Sequence, residues 1–391
     1  MNNPLALFLH ENIGRKKQNF PNLSMLTIVI PSYCRQDFII RQCAYWHGFD
    51  ASVIIMDGSP KPLADNIQEI IADLCNITYV HSNADLVDRL KHASTLIKTP
   101  YAVMCGDDEF LLASGMSNAI ALLEQDQDLG ACIGQSLRYY LSNDGSKCNY
   151  GTGYDTYRYE IKHNTIQERL KASVKNYNGA TCYAVTRSSI WSKSWGDLQG
   201  YSSGYVLELE NAFTTYIWCK LASVDDVYWM RSDENPPAET TDVSRLPVET
   251  WWASDEFKTE RMNFVTKLAD RLISAHRIGR ENAEDLIVKV FEIFLHEQKY
   301  PSNSSFSQKS RLYSINTLKK CLPKNWVGHL IKLRNHLRPV APDNGNFGNL
   351  ADLKATKTPL PFLLNDELVN DLFSMEKLIA DFYKARSDHS K

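Results

Sequence analysis

Short apolar runs, each broken off by a polar or acidic cluster, are what most constrain this chain. Leu26-Thr27-Ile28-Val29-Ile30-Pro31 gives way to Ser32-Tyr33-Cys34-Arg35. Ala51-Ser52-Val53-Ile54-Ile55-Met56 gives way to Asp57-Gly58-Ser59-Pro60, and Tyr101-Ala102-Val103-Met104-Cys105 to Gly106-Asp107-Asp108-Glu109. Runs with no polar alternation are what strands buried on both faces require. A further strand is expected over Ile77 to His81. Helix-like stretches separate the strands, near Phe38 to Trp46, over 63–74 (Leu63, Ile67, Ile70, Ile71, Leu74) and from Leu86 to Ile97. Strands alternating with short helices predict βαβ units and a mostly parallel, doubly wound α/β sheet. In such sheets ligands sit beyond the carboxyl ends of the strands. The three polar clusters fall at those ends, so they mark the expected site.

The rest of the chain reads more loosely. A helix over 116–124 and a strand from Ala131 to Tyr140 are expected, then a long loop or hairpin from Ser142 to Tyr159. A strand over Thr181–Thr186, a helix from Tyr205 to Leu221 and a last strand over Val227–Met230 follow. Asn235-Pro236-Pro237 marks a boundary, beyond which 248–298 and 312–338 are helical in pattern, with a final helix near Asp366 to Ala385. The expected division is an amino-terminal extension (1–24), an α/β domain (25–235, its halves meeting at 140/141) and a mainly helical region (236–391).

The composition excludes some classes. With 43 basic against 46 acidic residues, the chain is neither a nucleic-acid coat nor an acidic disordered segment, and no nucleic-acid partner is expected. No apolar run approaches the ~18–20 residues that span a bilayer. Met1 to Phe20 lacks the basic start and cleavage site of a signal peptide. The nine cysteines include no C-x-x-C pair, which suits reduced thiols in a cytosol. A cytoplasmic location is expected.

Gly106-Asp107-Asp108-Glu109 is the sharpest local feature. Adjacent carboxylates on a tight turn repel one another unless cations sit among them, and hard oxygen ligands of this kind suit Mg²⁺ or Mn²⁺ shared with substrate phosphates. Asp57 can accept hydrogen bonds from a base or ribose, or can simply initiate its turn. Arg89, between the third and fourth strands, can reach a diphosphate or lie on the helix surface.

Together these residues carry a resemblance. Thr27 to Tyr33 with Arg35 resembles the opening motif of family 2 glycosyltransferases, which have the GT-A fold. Ile54 to Ser59 resembles that family's second strand, and Tyr101 to Glu109 its DxD-type segment. The resemblance is good over roughly 25–110 and extends loosely to about 232. It implies a metal-dependent transferase that moves a sugar from a nucleoside-diphosphate sugar, with UDP favoured, to a glycan or lipid-linked acceptor in surface-polysaccharide synthesis, with inversion. On this reading Pro31, Tyr33, Arg35, Asp57, Arg89 and Asp107 bind the nucleotide sugar, with Asp57 at the base and Asp107 at the ribose. Asp108 binds the Mn²⁺ or Mg²⁺. Gly106 departs from the family pattern, standing where many members have the first Asp of DxD. The family's general base, an Asp or Glu near a helix start, corresponds to Glu208 or Glu210. Two residues apart on a helix they point about 200° apart, so only one can face a cleft, and the resemblance leans toward Glu210. Gly179 and Thr181 would border the acceptor, and Arg231 would approach the diphosphate.

Two rival classes remain at this point. A nucleotidyltransferase should carry a Gly-rich loop with Lys or Arg after the first strand, which Pro31-Ser32-Tyr33-Cys34 is not. A non-catalytic glycan-binding relative should have lost the metal carboxylates, and Asp107 and Asp108 are present. The near-neutral total also hides a segment, 298–342, with nine Lys/Arg and no Asp or Glu. In it Trp326, Leu330, Leu333 and Leu337 form one apolar helical stripe. It reads either as a dock for anionic lipid at the inner face of the cell membrane or as a helix packed on its own domain.

Overall fold

The computed structural model describes residues 3–13, 19–142, 147–154, 156–235, 246–300, 346–356, 360 and 362–389. The basic stretch read as either a lipid dock or a helix packed on its own domain lies outside them from 301 to 342. In chain order the elements are α1 (Pro4–Ile13), β1 (Leu26–Ser32), α2 (Gln36–Trp46), β2 (Ser52–Asp57), α3 (Asp65–Ala72), β3 (Ile77–His81), α4 (Leu86–Leu96) and β4 (Tyr101–Met104). Then come β5 (Phe110–Leu111), α5 (Ala113–Gln125), β6 (Leu129–Leu141), β7 (Cys148–Thr152), α6 (Ile166–Lys175), β8 (Val185–Arg187), α7 (Ser188–Ser194), α8 (Gly204–Trp218) and β9 (Lys220–Ser232). The remainder is α9 (Val248–Ala253), α10 (Lys258–His276), α11 (Arg280–Lys299), β10 (Asn346–Gly348), α12 (Leu350–Ala355) and α13 (Asp366–His389).

One mixed sheet runs β10-β7-β6-β8-β4-β1-β2-β3, with β9 beside β6 and β5 on β9. Its first half is the predicted parallel unit. β1 lies between β2 and β4, with Ile28 opposite Val53 on one side and Val103 on the other. Leu26, Ile28, Val29 and Ile30 are all fully buried. Helices cover both faces, which is why these runs show no polar alternation. Parallel pairing resumes between β6 and β9, while β8, β7 and β10 join antiparallel. The class is α/β, a mixed sheet whose first half is parallel, with a mainly helical carboxy-terminal region.

The second half departs from the sequence pattern in instructive ways. The strand expected over Thr181–Thr186 is instead a 3₁₀ turn, Gly179–Tyr183, followed by the short β8. The last strand begins at Lys220 rather than Val227, because its polar first half is fixed by pairing with β6 and not by hydrophobicity. Of the loop or hairpin expected from Ser142 to Tyr159, the hairpin is what forms: β7 pairs antiparallel with β6 from Leu137 to Leu141.

The carboxy-terminal helices pack onto the sheet domain. An aromatic cluster of Trp251, Phe264 and Phe291 meets Phe213 of α8, and Trp252 stacks on Phe291 at 4.1 Å. Meanwhile α13 returns to the amino-terminal side, where Phe382 contacts Phe8 of α1 and Phe38 of α2. Among the described residues no helix is long and apolar enough to cross a membrane.

Candidate functional site

At the carboxyl ends of β1 and β4 the chain opens into a cleft of ≈ 950 Å³. The acidic turn at its floor is braced by one helix, α2. The turn after β1 passes through Cys34 in a left-handed conformation (φ 55°), its amide held by the Ser59 hydroxyl at 3.0 Å. Arg35 follows, and its Nη1 donates to Asp107 Oδ1 at 3.2 Å and Asp108 Oδ2 at 3.3 Å. Deeper in α2, Gln42 Nε2 donates to the main-chain oxygens of Asp107 (3.0 Å) and Glu109 (2.5 Å). Arg41 Nη2 donates to that of Asp108 at 2.8 Å. All three carbonyls of the acidic turn are therefore tied to α2, and Tyr139 adds a second donor to Asp108 O at 2.7 Å. The turn's geometry is set from behind, leaving its carboxylates to the front.

Two of those carboxylates, Asp107 and Glu109, are held above the ordinary carboxyl range. Burial, then the charge on Asp108, lifts Asp107 to about 6, against the pull of Arg35 and the Ser32 hydroxyl (2.7 Å). Burial and Asp108 lift Glu109 to about 8, opposed by Trp229 Nε1, which donates to Glu109 Oε2 at 2.9 Å, and by Arg231. A Cβ on Gly106 would press to 3.0 Å on that same Glu109 oxygen.

Opposite the turn stands α8. Glu208 lines the cleft and its side chain is exposed to it. The enclosing walls still remove enough hydration to lift it to about 7, with Arg231 opposing. Glu210 does not face the cleft. It is fully buried, pairs with Arg271 (2.7 Å) and Lys267 (3.4 Å) of α10, and accepts from the Gln199 amide at 3.1 Å. The lean toward Glu210 is corrected: it anchors α10 to α8, and the face of α8 turned to the cleft carries Glu208.

Of the other expected site residues, Pro31, Tyr33, Arg35, Arg89, Asp107, Asp108, Gly179 and Arg231 line this cleft, and Asp57 and Thr181 do not. Asp57 is fully buried, with its oxygens accepting from Ser59 N (2.9 Å), Gln36 Nε2 (2.8 Å) and the Tyr79 hydroxyl (2.8 Å). As it stands it ties the ends of β2 and β3 to the start of α2. Thr181 is buried against the Tyr216 hydroxyl at 2.6 Å. Arg89, though on the cleft wall, gives Nη1 to the carbonyls of Ser32 (2.6 Å) and Met56 (2.8 Å), bracing β1 to β2.

No family model matches this chain, and no curated protein does. Among solved structures it is similar to S. aureus TarS 1–349 in complex with UDP-GlcNAc, at 8% identity over 73% of this chain and 75% of that one, with a TM-score of 0.46. It is also similar to S. aureus TarS 1–349 alone (9% identity, 72% and 92%, TM-score 0.39) and with UDP (10% identity, 72% and 92%, TM-score 0.37). Likenesses this distant assign no family. The chemistry rests on the residues.

Several of the cleft's residues carried no motif. Trp229, Tyr154, Tyr183 and Asn235 line it beside Glu109 of the acidic turn. Trp229 is sandwiched between Tyr154 (5.5 Å, 11°) and Tyr183 (4.1 Å, 21°). Asn235 Nδ2 donates to Asp108 Oδ2 at 2.8 Å. A signal for Arg41 and Gln42 was present: two strongly polar residues inside an otherwise apolar helical run must be paired if the helix is buried.

Whether these residues suit a divalent ion can be tested on their occupancy. Asp108 Oδ2 is engaged by Arg35 and Asn235, while Oδ1 has no hydrogen bond among the described residues. Among them no three His, Cys, Asp or Glu side chains group to hold an ion. That donor set does not make a closed protein cage. It fits a Mg²⁺- or Mn²⁺-type ion held by one carboxylate and completed by substrate phosphates and water.

Proposed function

We propose that this chain is a glycosyltransferase that moves a sugar from a nucleoside-diphosphate sugar to a hydroxyl of a glycan or lipid-linked acceptor, with inversion. The observation that carries the reading is that an acidic turn with its arginine, at the strand ends, and a carboxylate lifted toward neutrality, on α8, face one cleft. The first pair suits a diphosphate, the second a hydroxyl.

Bound at Asp108, Mn²⁺ or Mg²⁺ would offset the charge that builds on the departing nucleoside diphosphate. Arg35 is placed to exchange its carboxylate partners for phosphate oxygens as the donor enters. Ionised Glu208 accepts the proton of the acceptor hydroxyl while that oxygen bonds to the anomeric carbon. The bond from that carbon to the diphosphate oxygen breaks, and its electron pair leaves with the nucleotide. Attack opposite the leaving group inverts the anomeric centre, with no covalent sugar on the protein.

Calorimetry with UDP, GDP and CMP, each with and without Mn²⁺, tests this reading. A diphosphate should bind in the micromolar range with Mn²⁺, and the monophosphate far more weakly. Binding of none of them overturns the assignment.

A further inference from the structure

In α8, Val206, Leu207 and every residue from Leu209 to Ile217 are buried, and only Tyr205 and Glu208 are exposed. Both of these line the cleft. Three residues apart, they stand about 60° apart around the helix and roughly 4.5 Å along it. Tyr205 is 43% exposed, and its ring makes no hydrogen bond or aromatic contact among the described residues. Large aromatic rings are normally drawn into cores, and the rest of this helix follows that rule. The cleft wall beside it continues apolar through Leu207 and Trp195, both buried.

We infer that Tyr205 is the stacking platform for the acceptor, and that the acceptor is a neutral pyranose presented by its C–H face. The inference rests on the transferase reading above and adds to it the acceptor's chemistry. One helical turn matches the breadth of a sugar ring, so a ring laid on Tyr205 brings one of its hydroxyls to Glu208. The charge nearby disfavours a polyanionic acceptor, since Asp107, Asp108, Glu208, Asp233 and Glu234 outnumber Arg35, Arg89 and Arg231 on the lining of this cleft. Tyr205 is thus a specificity residue. The proton still goes to Glu208.

Saturation-transfer NMR on the full chain, with UDP and Mg²⁺ present, provides the test. The probes are methyl glycosides of glucose, galactose, mannose, rhamnose and N-acetylglucosamine, and a trigalacturonate as the polyanion. At least one neutral glycoside should receive saturation on its ring C–H protons. Its apparent affinity should fall about tenfold in Tyr205→Ala and be kept in Tyr205→Phe and Tyr205→Trp. Equal saturation in Tyr205→Ala overturns the inference, as does preferential binding of trigalacturonate, or no glycoside binding while UDP binds. Failure of UDP itself to bind counts against the transferase reading. The dependence of glycoside binding on Tyr205 is read separately and still decides the platform.

Discussion

Arg41 donates to the main-chain oxygen of Asp108 at 2.8 Å from a guanidinium with no solvent exposure. Its other Nη pairs with Glu234 at 2.8 Å, and Phe38, Phe110 and Phe382 pack over it at 4.5–5.2 Å. Burial alone would lift Glu234, but Arg41, Tyr139 and Tyr383 hold its carboxyl below the usual range. A residue of α13 therefore reaches the acidic turn through two relays. Removing one member of a buried pair strands the other charge, so Arg41→Met should cost ~3–5 kcal/mol in urea unfolding. Arg41→Met with Glu234→Gln should recover part of that loss. Tyr383→Phe leaves the pair intact and should lower kcat more than stability.

Glu208 and Glu210 should separate cleanly. Glu210→Gln uncouples a buried carboxylate from Arg271 and Lys267 and should destabilise the fold by ~3 kcal/mol or more. The molecules that remain folded should keep most of their turnover. Glu208→Gln should abolish turnover with little cost to the fold. Denaturation midpoints beside kcat for the two variants check this.

The Glu208 carboxyl, lifted to about 7, gives a pH profile of definite sign. As a general base it works ionised, so kcat/KM should rise tenfold per pH unit below about 7 and level off above. Arg231 opposes the lift, so Arg231→Gln should move the limb to higher pH. Stability runs the other way. Between the ordinary carboxyl range and about 7 the folded state holds more protons than the unfolded one, so stability falls as pH rises through that window. Asp107 and Glu109, lifted to about 6 and about 8, add a fall of the same sign. Glu208→Gln should therefore shrink the loss between pH 5 and pH 8 by its own share, which thermal melts at those two values would show.

Much of this site was legible in the residues, and what was not has physical reasons. The parallel order of β1, β2, β3 and β4 followed from buried runs that local periodicity fixes. The choice between Glu208 and Glu210 did not, because Arg271, 61 residues away, decides which face of α8 is buried. Asp57 ends its strand as expected, yet Gln36 and Tyr79 occupy its oxygens, and no spacing reveals that. The polar first half of β9 is a strand only because β6 lies alongside it.

Gly58 tests how tightly the strand ends are braced. A Cβ there would overlap the Arg89 guanidinium, which holds the carbonyls of Ser32 and Met56. Gly58→Ala should displace Arg89 and weaken nucleotide binding about tenfold. Once Arg89 is gone the clash has no object, so Gly58→Ala with Arg89→Ala should be no worse than Arg89→Ala alone. A double-mutant cycle on UDP affinity measures that coupling.

Arg35 competes with any cation for the acidic turn, because one nitrogen spans Asp107 and Asp108 at 3.2 and 3.3 Å. Arg35→Ala removes that competitor but also removes a phosphate partner. Mn²⁺ alone should then bind more tightly, by about tenfold, because two carboxylates lose their nearest cation. UDP with Mn²⁺ should bind more weakly than to the native chain. Asp108→Ala should lose the Mn²⁺-dependent part of UDP binding while leaving the fold in place, since Arg41 and Tyr139 hold the main-chain oxygen there and not the side chain. Titrating Mn²⁺ by electron paramagnetic resonance, without and then with UDP, reads both effects. Parallel weakening of both affinities in Arg35→Ala would mean that the arginine supports the turn instead of competing for it.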